Sequence, residues 1–112
     1  MTPTVPTTAI TDLSSLRGAL RDFAAARDWR QYHTPKNLAM AMIVEAAELV
    51  EHFQWATPEE SRTPSPEKLA EIRDEVADTL IYLVELADAL DIDLIAAARD
   101  KIAKNALKYP VP

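Results

Sequence analysis

A chain of 112 residues supports one domain with one core, and 48% hydrophobic against 27% charged residues makes it globular rather than disordered. It has no cysteine, which excludes disulfides, a thiol nucleophile and a zinc–thiolate site. A net charge of −6 with no basic run argues against a nucleic-acid polymer as partner, although metal ions can still bring a polyphosphate to an acidic protein.

The start, "MTPTVPTTAI", lacks a basic segment followed by an apolar one, so it does not read as a secretory signal. No apolar run approaches ~18 residues, the length a membrane span needs. The expectation is a cytoplasmic protein with a flexible tail over residues 1–11 and a single domain over residues 12–110. Alanine and leucine dominate and there is a single glycine, Gly18. That composition favours helices and disfavours hairpins.

Leu13, Leu16, Leu20, Phe23 and Ala24 follow the spacing of one helical face, which predicts a first helix ending near Asp28. Thr11 or Asp12 is placed to cap it. The connector "WRQYHTPKN" ends in Thr34-Pro35, an N-cap followed by a proline at the first helical position. The second predicted helix runs from there to about Gln54. "ATPEESRTPSP" has three prolines and no apolar period, so it reads as a loop. Ser65-Pro66 repeats the cap-then-proline signal, and a third helix follows to about Leu90. Asp93 caps a fourth, which Pro110 stops near Tyr109. The fold class is all-α, an antiparallel four-helix bundle-like protomer.

The second helix poses a chemical question. From Asn37 to Val50 its only charged side chains are Glu45 and Glu48. A helix apolar nearly all round is buried on most sides, and a buried carboxylate needs a compensating partner. Glu45, Glu48 and His52 form a stripe bordering Leu38, Met42, Leu49 and Phe53. On the third helix Glu71, Glu75, Asp78 and Tyr82 form a similar stripe beside Ile72, Val76, Leu83 and Leu86. Two such helices packed antiparallel bring the carboxylate pairs together. Repulsion among them is relieved by one or two divalent cations, and oxygen-only ligands suit Mg²⁺ or Mn²⁺. The competing reading is that both pairs are solvated or bridged to Lys and Arg. A di-iron site is disfavoured, because it needs Glu-x-x-His on two helices. Here Glu48 is followed three residues on by Glu51, and the third helix has no histidine.

"RDWRQYHTPKNLAMAMIVEAAELVEHFQW", "EIRDEVADTLIYLVELADALDIDL" and "KIAKNALKYP" resemble the all-α nucleoside triphosphate pyrophosphatases. Within them they resemble the MazG-like group and its dCTP pyrophosphatase branch. E-x-x-E, then E-x-x-D, then K-x-x-K-N-x-x-K-Y-P, in that order, carries the resemblance from Leu13 to Pro110. It implies Mg²⁺-dependent hydrolysis of a nucleoside triphosphate to the monophosphate and pyrophosphate, with dCTP or modified pyrimidine deoxynucleotides as substrate. It implies metal binding by Glu45, Glu48, Glu75 and Asp78, phosphate contacts from Lys101, Asn105 and Tyr109, and a base and sugar pocket lined by Trp29, His33, Trp55 and Tyr82. It also implies a homo-oligomer, a tetramer or a dimer, whose sites draw on more than one chain.

Physical readings stand beside these implications. Glu48 is the candidate for orienting or deprotonating water, and Glu71 is a weaker neighbour of the metal site. Lys101, Lys104 and Lys108 share a face that suits phosphate, or they simply complement a helix C-terminus. Trp29 and Trp55 either stack on a base or pack in the core. His33 either bonds the base or sugar or is bonded to backbone, and Met40 and Met42 read as core. Leftover apolar surface on the second helix marks an interface between copies. The rival to an enzyme is a non-catalytic helical oligomer whose acidic stripe binds a basic protein. A further rival is a metal-dependent hydrolase of another phosphate ester.

Overall fold

The computed structural model describes residues 6–112. The four expected long helices are present: α1 (Leu13–Ala26), α2 (Pro35–Glu51), α4 (Pro66–Ala89) and α5 (Leu94–Lys108), with a one-turn α3 (Pro58–Ser61) between the second and third of them. No strand occurs among the described residues.

The caps are those the sequence encodes. Asp12 accepts from the Ser15 backbone N–H at 2.7 Å while the Asp12 N–H donates to Ser15 Oγ, a reciprocal capping box. Thr34, Ser65 and Asp93 accept from Asn37, Lys68 and Ala96 backbone N–H groups. The proline-rich loop departs from expectation. Thr57 and Glu60 cap each other reciprocally, with Pro58 at the first helical position, so one helical turn forms inside it. The tail also holds a short 3₁₀ turn, Thr7–Ala9, within its described part, and the connector holds another, Arg30–Tyr32.

Helices α1 and α4 end alike without glycine. Asp28 and Asp91 take φ of 55° and 54°. Trp29 N–H then reaches Ala24 C=O at 2.9 Å and Ile92 N–H reaches Ala87 C=O at 2.8 Å. Aspartate tolerates this left-handed position better than most side chains. The tight reversal after Asp28 fixes Trp29 against α1, and that after Asp91 launches α5.

Helices α2 and α4 form the body and run antiparallel. His33, just before α2, lies 3.6 Å from Glu85 near the end of α4, and His52, just after α2, lies 3.9 Å from Glu71 near the start of α4. Helix α1 crosses the far end of α4, where Arg21 grips Asp88 through both carboxylate oxygens. Among the described residues the core is small: Ala24, Leu38, Ile72, Val84 and Ala87. Leu38 is its only large side chain that is all but fully enclosed, at 2% exposure. Leu38→Ala is therefore expected to cost roughly 2–5 kcal/mol, read as a lowered urea midpoint with helix content unchanged in native buffer.

The expected burial of α2 on most sides is not met within one chain. Met40, Ile43, Val44 and Val50 are all more than half exposed. On α4, Leu69 and Val76 are at least half exposed. Met40 is thus surface rather than core in the protomer. The cause is geometric: α4 packs along one side of α2, α1 lies mainly on α4, and α5 contributes no buried residue.

Candidate active site

The antiparallel pairing of α2 and α4 sets the carboxylates face to face. Oxygens of Glu45, Glu48 and Glu75 all lie within 4.8 Å of one another. Glu45 and Glu48 come from successive turns of α2, and Glu75 faces them from α4. Asp78, one turn further along α4, is exposed and lies outside this trio, though its charge still acts on Glu45. Among the described residues no Lys or Arg bonds to any of the three, so the reading in which basic side chains neutralise the pairs finds no support here. Glu71 is set apart: it is exposed and faces His52.

The electrostatics follow from that crowding. Desolvation pushes Glu75 up to about 7, with help from its contacts with Glu48 and Glu45. Glu45 is raised too, first by desolvation and then by the charges of Glu48 and Asp78, against a lowering contact with Glu75. One oxygen of Glu75, Oε2, is buried without a hydrogen-bond partner among the described residues. A trio of hard oxygen donors holding excess negative charge, with one donor unsatisfied, fits a divalent cation such as Mg²⁺ or Mn²⁺.

The metal-free protein is expected to lose stability as pH rises through this carboxyl's titration. The Glu75 carboxyl moves from 4.5 to about 7 on folding, so the folded state holds the extra proton between those values. Stability contributed by this group is greatest below 4.5 and falls as pH rises to about 7. Asp12, Asp88 and Glu60 are shifted the other way, and their contributions are lost only in acid, outside this window. In chelator, Tm is expected to fall between pH 5 and pH 7.5, and saturating Mg²⁺ or Mn²⁺ is expected to flatten or reverse that slope.

The candidate base pocket is only partly assembled. Trp29 stands 6.4 Å from the His33 ring and 5.7 Å from that of Phe23, edge-on to both. Tyr82 is partly buried on the α4 stripe. Burial and the charges of Glu45, Glu85 and Asp78 raise its pKa, so its hydroxyl keeps its proton as a donor between the trio and His33. Trp55 is elsewhere. It follows α2 while Trp29 precedes it, and the 17 residues of α2 span about 25 Å. Trp55 is 89% exposed, and no single base can touch both indoles in one chain. The phosphate-facing group is likewise not gathered. Lys101 and Tyr109 are exposed and Asn105 is partly buried on α5. None of the three has a side-chain bond to α2 or α4 among the described residues. Tyr109 instead lies under Lys108, whose Nζ is 5.4 Å from its ring.

One residue that the sequence reading passed over belongs to this region. Glu85 is the only charged side chain from Thr79 to Ala87. It sits three residues beyond Tyr82 on the same stripe, and its side chain is 15% exposed. Like Glu45 and Glu48, it is a carboxylate set in an apolar run and needs a compensating partner.

Fold and site together define an all-α protein whose two central helices present a carboxylate trio able to hold a metal ion. The MazG-like family is matched over residues 40–112, which contain all four acidic positions and α5 but not Trp29 or His33. The chain is 43% identical over 102 residues to the dCTP pyrophosphatase 1 of Bos taurus, and 42% identical over 100 residues to that of Homo sapiens. Each match covers 88% of this chain, which spans 60% of the bovine and 59% of the human protein's length. The crystal structure of a pyrophosphatase from Archaeoglobus fulgidus is similar at TM-score 0.80 and 42% identity, over 88% of this chain and 93% of that one. The chain belongs to the MazG-like family.

Proposed function

We propose that the protein is a divalent-cation-dependent pyrophosphohydrolase. It converts a nucleoside triphosphate to the monophosphate and pyrophosphate, acts on dCTP or a related modified pyrimidine deoxynucleotide, and so clears such nucleotides from the pool. The observation that carries this is the convergence of Glu45, Glu48 and Glu75 oxygens within 4.8 Å, in a chain over 40% identical to proteins named dCTP pyrophosphatase.

Glu45, Glu48 and Glu75 would hold the cation, with Asp78 able to join by a change of side-chain rotamer. A bound divalent cation supplies charge neutralisation at the phosphates and acidifies water. Around it the chain does the rest. Glu48 holds the attacking water or takes its proton. The Tyr82 hydroxyl donates toward the sugar or the phosphates. Trp29 offers a ring face for the base, and Lys101, Asn105 and Tyr109 meet phosphate oxygens once α5 is brought to a site.

The open apolar face of α2, the distance between Trp29 and Trp55, and the unanchored α5 all support a homo-oligomer, dimer or tetramer. In it a second copy covers Ile43 and Val44 and supplies the missing groups. Incubation with Mg²⁺ and dCTP, followed by phosphorus NMR, is expected to give dCMP and pyrophosphate as first products. Orthophosphate and dCDP as first products would refute the proposed cleavage.

A further inference from the structure

Beyond the trio lies a cavity of about 480 Å³ at the other end of α4. Its walls include Leu20, Ala24, Leu38 and Val84, and its polar groups include His33 and Glu85. Arg21 and Asp88 also line it, committed to each other. A volume of this order suits a small planar ligand with apolar walls and few polar anchors.

Glu85 is the anomaly in it. Its Oε2 is buried and has no hydrogen-bond partner among the described residues. His33 Nδ1 is the nearest cation-capable group, and at 3.6 Å it is beyond hydrogen-bond range. Burial raises the Glu85 carboxyl and His33 offsets this in part. A buried acceptor of this kind costs stability unless something donates to it. Ten residues separate it from Glu75, about 15 Å of helix rise, a reach comparable to that from the phosphates of a nucleotide to the edge of its base. Tyr82 lies between the two and feels charge from both ends. Trp29 stands edge-on to His33, which lines the cavity.

We propose that Glu85 is the specificity-determining residue of the nucleotide site, accepting a hydrogen bond from the exocyclic amine of cytosine, with His33 standing beside the carboxylate. Both protonation states of a carboxyl accept from an amine. The ionised form opposes the keto oxygen of uracil or thymine with lone pair against lone pair. A polar site that pairs with one substrate rejects the analogue lacking the matching group. The inference rests on the nucleotide reading given above.

The test compares wild type, Glu85→Gln and Glu85→Ala. It uses kcat/KM for dCTP and dUTP with Mg²⁺, and equilibrium binding of dCMP and dUMP, which needs no turnover. Glutamine adds an N–H donor that welcomes a keto oxygen, so the dCTP-to-dUTP ratio of kcat/KM is expected to fall at least about tenfold. The change should lie mainly in KM, and the dCMP-to-dUMP binding ratio should fall in parallel. The alanine variant is expected to lose the preference as well, and removing a buried unpaired acceptor should leave it folded by circular dichroism. An unchanged ratio in an active, folded Glu85→Gln overturns the assignment and leaves the hydrolase reading intact. A wild type that hydrolyses neither triphosphate but prefers dCMP in a Glu85-dependent way overturns the hydrolase reading and supports Glu85. A wild type with no preference in either assay overturns the role of Glu85.

Discussion

Glu48→Gln is expected to lower triphosphate hydrolysis by roughly 10²- to 10⁴-fold, the several kcal/mol that a correctly held metal ion contributes to a transition state. Glutamine keeps the size and one oxygen of the side chain but removes the charge. The trio then offers two ionisable carboxyls instead of three, and no proton acceptor remains at that position for water. The loss should appear in kcat, with KM for nucleotide little changed, since the role proposed for Glu48 is at the reacting end rather than at the base. The fold should be untouched: among the described residues Glu48 makes no cap hydrogen bond, and removing one of three crowded carboxylates relieves repulsion. Initial rates of pyrophosphate release, isothermal titration of Mn²⁺ and far-ultraviolet circular dichroism check the three parts. Full activity of Glu48→Gln, or of wild type in excess chelator, would sink the metal reading.

Trp55→Ala is the second large effect, and it separates chemistry from packing more cleanly than Trp29→Ala can. At 89% exposure Trp55 supports nothing within its own chain, so its loss should leave helix content unchanged. If its indole reaches the base bound by a second copy, KM should rise about ten- to a hundredfold, the worth of one stacking contact. Trp29, by contrast, packs on Phe23 beside Arg27, so Trp29→Ala should lower both affinity and Tm. The assembly can be tested by Ile43→Arg, which puts a charge on the exposed face of α2 and is expected to yield monomers by light scattering. In such a monomer, adding Trp55→Ala should raise KM no further, because two changes acting on one contact are not additive. An active monomer with wild-type KM, or additive effects, would show that each chain holds a complete site.

The sequence by itself determined the four long helices, their starts and the carboxylates that face one another across α2 and α4. Cap-then-proline pairs at Thr34 and Ser65, and the aspartate caps at Asp12 and Asp93, are local signals, satisfied by backbone groups three residues away. The same signal at Thr57 was equally legible and was obscured by the prolines around it. The convergence of Glu45, Glu48 and Glu75 followed from two helical stripes and one antiparallel pairing, since helix periodicity fixes which carboxylates share a side.

Tertiary structure decided what depends on how far apart elements end up. It left Asp78 beside rather than within the trio, separated Trp29 from Trp55 by the length of α2, kept α5 away from the carboxylates, and exposed the apolar side of α2. None of these is a local property, because each depends on which surfaces the other helices cover and on the direction each reversal gives the chain. The left-handed turns at Asp28 and Asp91 set two of those directions without the glycine that would have announced them. Glu85 falls between the two cases. Its isolation in an apolar run was visible in the sequence, but only the approach of α1 and His33 to α4 made it a buried acceptor at the wall of a cavity.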